Sequence, residues 1–131
     1  ESATSRDLAL FALDQPEIAA AGVEALARSC LVRTSGGQVR AAAVHGGQWL
    51  TVEGQRIYHA NSSGDAVVTF GDDVVEARLS LYDVNTVQLY APTPPVRVLV
   101  DGRETEFRYD PALRCAEVTK YAMRRVQVVL R

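Results

Sequence analysis

His45 and His59, with Cys30 and Cys115, are the only histidines and cysteines in the 131 residues. Near neutral pH, imidazole and thiolate are the usual bases, nucleophiles and metal ligands. A metal site needs them at a defined spacing, beside carboxylates or further thiols. Neither histidine has such neighbours. His45 precedes Gly46-Gly47, and His59 follows Tyr58 near the end of a strand-like run. No Cys-x-x-Cys occurs, and both cysteines sit in apolar, alternating contexts, which suits two buried free thiols, with a Cys30–Cys115 disulfide as the alternative. Gly-x-Ser-x-Gly, Gly-x-Gly-x-x-Gly and the Walker phosphate loop are absent from the chain, so no exposed hydrolase serine and no phosphate cradle is signalled. The residues thus predict no catalytic group, no metal site and no cofactor.

The paired acids read as wet structure. Asp72-Asp73 follows Gly71 in a turn, and two adjacent carboxylates do not complete the six to eight ligands of calcium. Glu104 and Glu106 alternate along a strand and form its solvated side. Asn61-Ser62-Ser63 fits a glycosylation pattern that three-residue chance also produces. Recognition chemistry is left to the aromatics, because a flat ring can stack on the C–H face of a sugar. Trp49, the single tryptophan, opens a strand after Gly46-Gly47. Tyr58 and His59 lie on the next strand. A hairpin through Glu53-Gly54 would make Trp49 and Tyr58 cross-strand neighbours. Trp49, Tyr58 and His59 are therefore the candidate carbohydrate-binding residues. The competing reading of Trp49 is a core or docking side chain.

The elements that must position these groups are mostly strands. "DLALFALD" (7–14) is apolar on both faces, suiting a strand buried on both sides or a short helical piece. "DQPEIAAAGVEALAR" (14–28) is the one stretch with helical character. Asp14 can cap it, Pro16 and Glu17 fit a first turn, and Gly22 weakens it by about 1 kcal/mol. A short helix near the N-terminus and irregular chain are both open there. From Ser29 the period is two. Gly36-Gly37, His45-Gly46-Gly47, Glu53-Gly54, "NSSGD" (61–65), Gly71-Asp72-Asp73, "PTPP" (92–95), Asp101-Gly102 and Asp110-Pro111 read as the breaks between strands. Asp101-Gly102 is the strongest hairpin signal, since both central positions need positive φ. Nine or ten short strands at this spacing predict an all-β fold, an antiparallel β-sandwich.

Length and charge bound the class. One domain with one core suits 131 residues. A formal net charge of -2 offers no broad basic field, so nucleic acid is not an expected partner. No apolar run approaches the roughly 18 residues of a membrane span. "ESATSRD" (1–7) lacks a signal peptide's apolar core and reads as a cut boundary, so the natural chain is expected to extend further at that end.

"VRVLVDG" (96–102), "EFRYD" (106–110) and "RVQVVLR" (125–131) together resemble the C-terminal β-sandwich accessory domains of bacterial polysaccharide lyases and glycoside hydrolases. "LVRTSGGQVRAAAV" (31–44) resembles the middle of such modules, where strands turn through Gly-Gly. The resemblance implies a non-catalytic module of a secreted or periplasmic enzyme. Its partner would be the catalytic domain of the same chain, with polysaccharide as a further partner. It also implies that the reactive residues lie in that other domain. A stand-alone carbohydrate-binding module and a structural or adhesive surface domain are the alternatives.

Overall fold

Period-two sequence is realised as strand almost throughout. The computed structural model describes residues 5–131 and holds thirteen strands joined by antiparallel hydrogen bonding. In chain order these are β1 (Ser5–Phe11), β2 (Glu17–Ala20), β3 (Val23–Leu26), β4 (Ser29–Ser35), β5 (Gln38–Val52), β6 (Gln55–Phe70), β7 (Val74–Leu79), β8 (Val84–Tyr90), β9 (Arg97–Val100), β10 (Arg103–Thr105), β11 (Arg108–Asp110), β12 (Cys115–Tyr121) and β13 (Arg125–Val129). Two layers result. The first has the order β1-β4-β5-β6-β7-β13-β9-β10, and the second runs β2-β3-β5-β6-β8-β12-β11. β5 and β6 belong to both. The first part of β5 pairs with β4 and its last residues with β3, while β6 pairs with β8 early and with β7 late.

This sharing corrects two expected breaks. His45-Gly46-Gly47 and "NSSGD" do not end strands; they are bends inside strands of 15 and 16 residues. Register shifts between Val44 and Trp49 carry the long hairpin from one layer into the other, as bulges do. Gly47 faces Gly64 at this crossing. A Cβ on Gly47 would lie 2.4 Å from the Leu26 carbonyl oxygen, so the backbone approach leaves room only for glycine. Asp65 ties the bend, accepting from the Gly46 amide at 2.9 Å and meeting His45 Nδ1 at 2.9 Å. Asn85, 1% exposed, holds the other side. Its Oδ1 accepts from the amide and hydroxyl of Ser62, and its Nδ2 donates to the Asp83 carbonyl, so burial leaves this amide well partnered.

The N-terminal part differs most from expectation. The alanine-rich stretch is no helix. Ala21-Gly22, both at positive φ, make a tight turn that folds 17–26 into the β2–β3 hairpin. Ile18, Val23 and Ala25 are buried while Ala19, Ala20 and Glu24 are exposed, so burial on a pleated face overrides alanine's preference for helix. β1 is not buried on both sides either. It is an edge strand whose Leu8 and Leu10 pack on the core while Ala9 and Phe11 face water. Glu104 and Glu106 are both exposed but do not share a strand, because β10 ends at Thr105 and β11 starts at Arg108 on the other layer. Val75, Ala77, Leu79 and Leu81 are buried as the alternation predicts, "PTPP" is a connection, and Asp101-Gly102 joins β9 to β10.

One hydrophobic cluster lies between the layers. Val32, Val44, Val68, Val75, Val98 and Val126 come from the first layer, and Val23, Leu50, Tyr58, Val87, Leu89 and Val118 from the second. Each such side chain contributes on the order of 1.5–3 kcal/mol by leaving water.

Candidate functional site

Pairing across the second layer sets side chains in rows. One row crosses all seven of its strands: Glu17, Leu26, Trp49, His59, Gln88, Glu117 and Arg108. Directly paired residues in a sheet point to the same side. The neighbours of this row, Ala25, Leu50, Tyr58, Leu89 and Ala116, are buried in the core, so the row itself lies on the outer face. Trp49, His59, Gln88 and Glu117 are half-buried there, and Glu17 and Arg108 are exposed.

The expected pairing of Trp49 with Tyr58 is corrected by this register. Trp49 stands opposite His59, and Tyr58 stands opposite Leu50. Tyr58 is 0% exposed, so it cannot serve as part of an external platform. Its hydroxyl has no hydrogen-bond partner among the described residues, and burial pushes its pKa up to about 12. The indole and the imidazole remain side by side on the surface.

A hydrogen-bonded chain extends the pair. Arg56 Nη1 donates to Gln88 Oε1, and Gln88 Nε2 donates to Glu117 Oε1 at 2.9 Å. Arg56 reaches the row because a bulge places Ile57 as the extra residue of β6: Leu50 pairs with Tyr58 but Thr51 pairs with Arg56. Burial, aided by the Arg56 charge, lowers the His59 pKa below its usual value, so near neutral pH the ring is uncharged, with one donor and one acceptor nitrogen. Thr86 and Thr119 face each other one row along, hydroxyl to hydroxyl at 2.8 Å. The face therefore offers an aromatic plane next to a row of fixed donors and acceptors.

Gln88, Glu117 and Arg56 were not legible as site residues. Each sits at an ordinary polar position of an alternating strand, and only the strand order brings them beside Trp49. The remaining candidates have structural roles. Cys30 and Cys115 are free, buried and on different layers. Burial raises both thiols, Cys115 to about 11, which leaves little thiolate for nucleophilic work. His45 braces the bend. Asp72 lies 3.6 Å from Arg40, and Asp73 lies 2.7 Å from Arg131, so each carboxylate of that turn has a guanidinium partner. Among the described residues, no three His, Cys, Asp or Glu side chains come together as a metal site.

The chain matches no family model and no curated protein.

Proposed function

We propose that this domain is a non-catalytic accessory module of a secreted polysaccharide-degrading enzyme, docked on the catalytic domain of the same chain. The observation that supports it best lies on the outer face of the first layer. Ala9, Leu31, Ala43 and Val67 occupy one paired row of β1, β4, β5 and β6. Leu31 is 38% and Val67 50% exposed, and Phe11 near the end of the same edge is 74% exposed. Small and branched apolar side chains on a pleated sheet make a flat face that loses little by contact and gains by leaving water. The row continues into Arg78 and Arg125, and the Asp7–Arg33 ion pair lies one row away, giving the patch the polar rim of an interface.

The test is made in the natural full-length protein by scanning calorimetry. A docked module unfolds together with its neighbour in one transition. Val67→Glu should split that transition in two, while the same change in the isolated domain leaves its melting temperature nearly unmoved. Two independent transitions in the unmodified protein would exclude docking.

A second reading, saccharide binding, is favoured by the Trp49–His59 pair on the opposite outer face. A pyranose stacked on the indole would find Gln88, Glu117 and Arg56 for its hydroxyls. Because Trp49 is the only tryptophan, its fluorescence reports contact directly. A saturable shift with a defined oligosaccharide, lost in Trp49→Ala and weakened in Glu117→Gln, supports this reading. No response up to about millimolar glycan, equivalent to less than about 4 kcal/mol of binding, leaves docking alone.

A further inference from the structure

The first layer ends differently on its two sides. β10, at one edge, has three residues, and β2, an edge of the second layer, has four. β1 has seven, paired with β4 from Ser5 to Phe11 without a register shift. A long flat edge is a template for another strand unless proline, lysine, a bulge or an inward charge blunts it. β1 contains no proline, lysine or bulge. Asp7 is tied to Arg33 of its own sheet at 2.8 Å. Arg6, the one charge on the side of Leu8 and Leu10, stands exposed near the start of the strand. The stretch from Leu8 to Phe11 is therefore unguarded.

The direction of its free backbone groups follows from one bond. The Ala12 amide donates to the Arg28 carbonyl at 2.8 Å, in line with the β1–β4 register. Alternate residues of an antiparallel strand bond to the same neighbour, so Arg6, Leu8 and Leu10 turn their N–H and C=O towards β4. Ser5, Asp7, Ala9 and Phe11 turn theirs away, and among the described residues no strand pairs with β1 on that side. All seven residues are exposed except Leu8 and Leu10, which are half-buried, so the edge is open to a partner.

We propose that β1 is a dimerisation edge, at which a second copy of this chain adds its own β1 antiparallel and joins two first layers into one continuous sheet. The edge is complementary to itself in one register. With Ala9 opposite Ala9 of the second copy, Asp7 stands opposite Phe11, and these outward-turned residues exchange the backbone bonds. Leu8 then meets the second copy's Leu10 on the inner side, and each half-buried leucine is closed off from water. On the outer side Phe11, 74% exposed in one copy, comes beside the Asp7–Arg33 pair of the other, where its ring can cover the guanidinium. Other registers match less well. Setting Leu8 opposite itself puts Leu10 against Arg6, setting Asp7 opposite itself opposes two carboxylates, and setting Leu10 opposite itself leaves Leu8 against Ala12. This self-match favours a second copy over a strand of unrelated sequence. The contact uses the edge and leaves the apolar outer face open, so it stands whether or not that face docks on a catalytic domain.

Sedimentation velocity of the 131-residue protein, from about micromolar to about millimolar, tests this. A reversible monomer–dimer equilibrium is expected. Ala9→Pro should weaken the dimer at least about tenfold, because it removes an N–H that the monomer does not use. Ala9→Lys should weaken it as well, by setting two like charges face to face. Ala9 is exposed, so the lysine variant keeps the fold even where proline loosens β1. Val67→Glu, on the outer face, should leave the dimer unchanged. Amide hydrogen exchange locates the contact. The amides of Asp7, Ala9 and Phe11 should exchange more slowly as concentration rises, while those of Leu8 and Leu10, already bonded to β4, stay slow at every concentration. A monomer throughout the range would overturn the proposal and leave the edge to a strand of different sequence. A dimer unaffected by Ala9→Lys, or one in which the Asp7, Ala9 and Phe11 amides stay unprotected, would overturn it equally.

Discussion

Gly47 and Gly64 are direct partners on β5 and β6 at the point where that hairpin passes from one layer into the other. Each meets a carbonyl oxygen where a side chain would begin: Leu26 O at 2.4 Å from a Cβ on Gly47, and Ser80 O at 2.6 Å from one on Gly64. The crossing unites the two layers, so its tolerance decides whether the sandwich forms.

Gly47→Ala should destabilise the domain by about 3 kcal/mol, the upper end of overpacking costs, because the obstacle is backbone. Gly54→Ala is the comparison. Gly54 has φ 79° but open space around it, so alanine there adds only the strain of a side chain at positive φ, about 1 kcal/mol. Urea midpoints measure both. Equal losses would show that crowding at the crossing is not what holds glycine at position 47.

Tyr58→Phe should stabilise. The hydroxyl is buried without a hydrogen-bond partner among the described residues, and an unmatched buried polar group costs about 1–3 kcal/mol. Removing one oxygen while keeping the ring leaves packing with Leu50 intact. A gain of about 1 kcal/mol in chemical denaturation is expected. A loss of similar size would mean that the hydroxyl has a partner, such as a buried water.

The class of fold was legible because period-two alternation and glycine-containing breaks report half-buried strands directly. Val75, Ala77, Leu79 and Leu81 show this, as does the hairpin at Asp101-Gly102. The crossing was not legible. Gly46-Gly47 and "NSSGD" have turn composition, and nothing local tells a turn from a bend that stays in strand. The distinction rests on distant partners: Asp65 for His45 and Gly46, and Asn85 for Ser62. The β2–β3 hairpin was missed for a related reason, since alanine's helical preference is worth only tenths of a kcal/mol per residue and gives way to burial of Ile18, Val23 and Ala25. At the surface, Trp49 and His59 were found by residue type. Gln88 and Glu117 required knowledge that β8 and β12 lie beside β6.

His59 should make the domain acid-sensitive in a defined window. Its folded pKa is lowered by burial and by Arg56, from an ordinary value of 6.5. Above about 6.5 both folded and unfolded forms are neutral, and His59 contributes no pH dependence. As the pH falls through 6.5 towards the lower folded value, the unfolded chain takes up the proton first, so stability falls. The urea midpoint of the original protein should drop as the pH falls through 6.5, and His59→Gln should flatten that part of the profile. Asp7, whose pKa is lowered by its bond to Arg33, acts only below the ordinary carboxylate value of 3.8 and does not overlap. Parallel profiles for the two proteins would remove His59 as the source.

Asp101 and Gly102 divide the work of the β9–β10 turn. Both have positive φ, 50° and 82°. The Asp101 carboxylate also accepts from the backbone amides of Arg124 and Arg125, with Oδ1 at 3.1 and 2.9 Å, tying the turn to the start of β13. Gly102 has nothing within 4 Å of a built Cβ, so Gly102→Val should cost only the strain of a branched residue at positive φ, about 1–3 kcal/mol. Asp101→Asn keeps an acceptor oxygen and a residue type that tolerates this conformation, and should lose less than about 1 kcal/mol. Asp101→Val loses both and should cost more than either. Hydrogen exchange separates the causes: Asp101→Val should speed exchange of the Arg124 and Arg125 amides beyond the change in global stability, whereas Gly102→Val should not. Faster exchange of those two amides in Gly102→Val alone would place the tie to β13 in the turn's backbone geometry and not in the carboxylate.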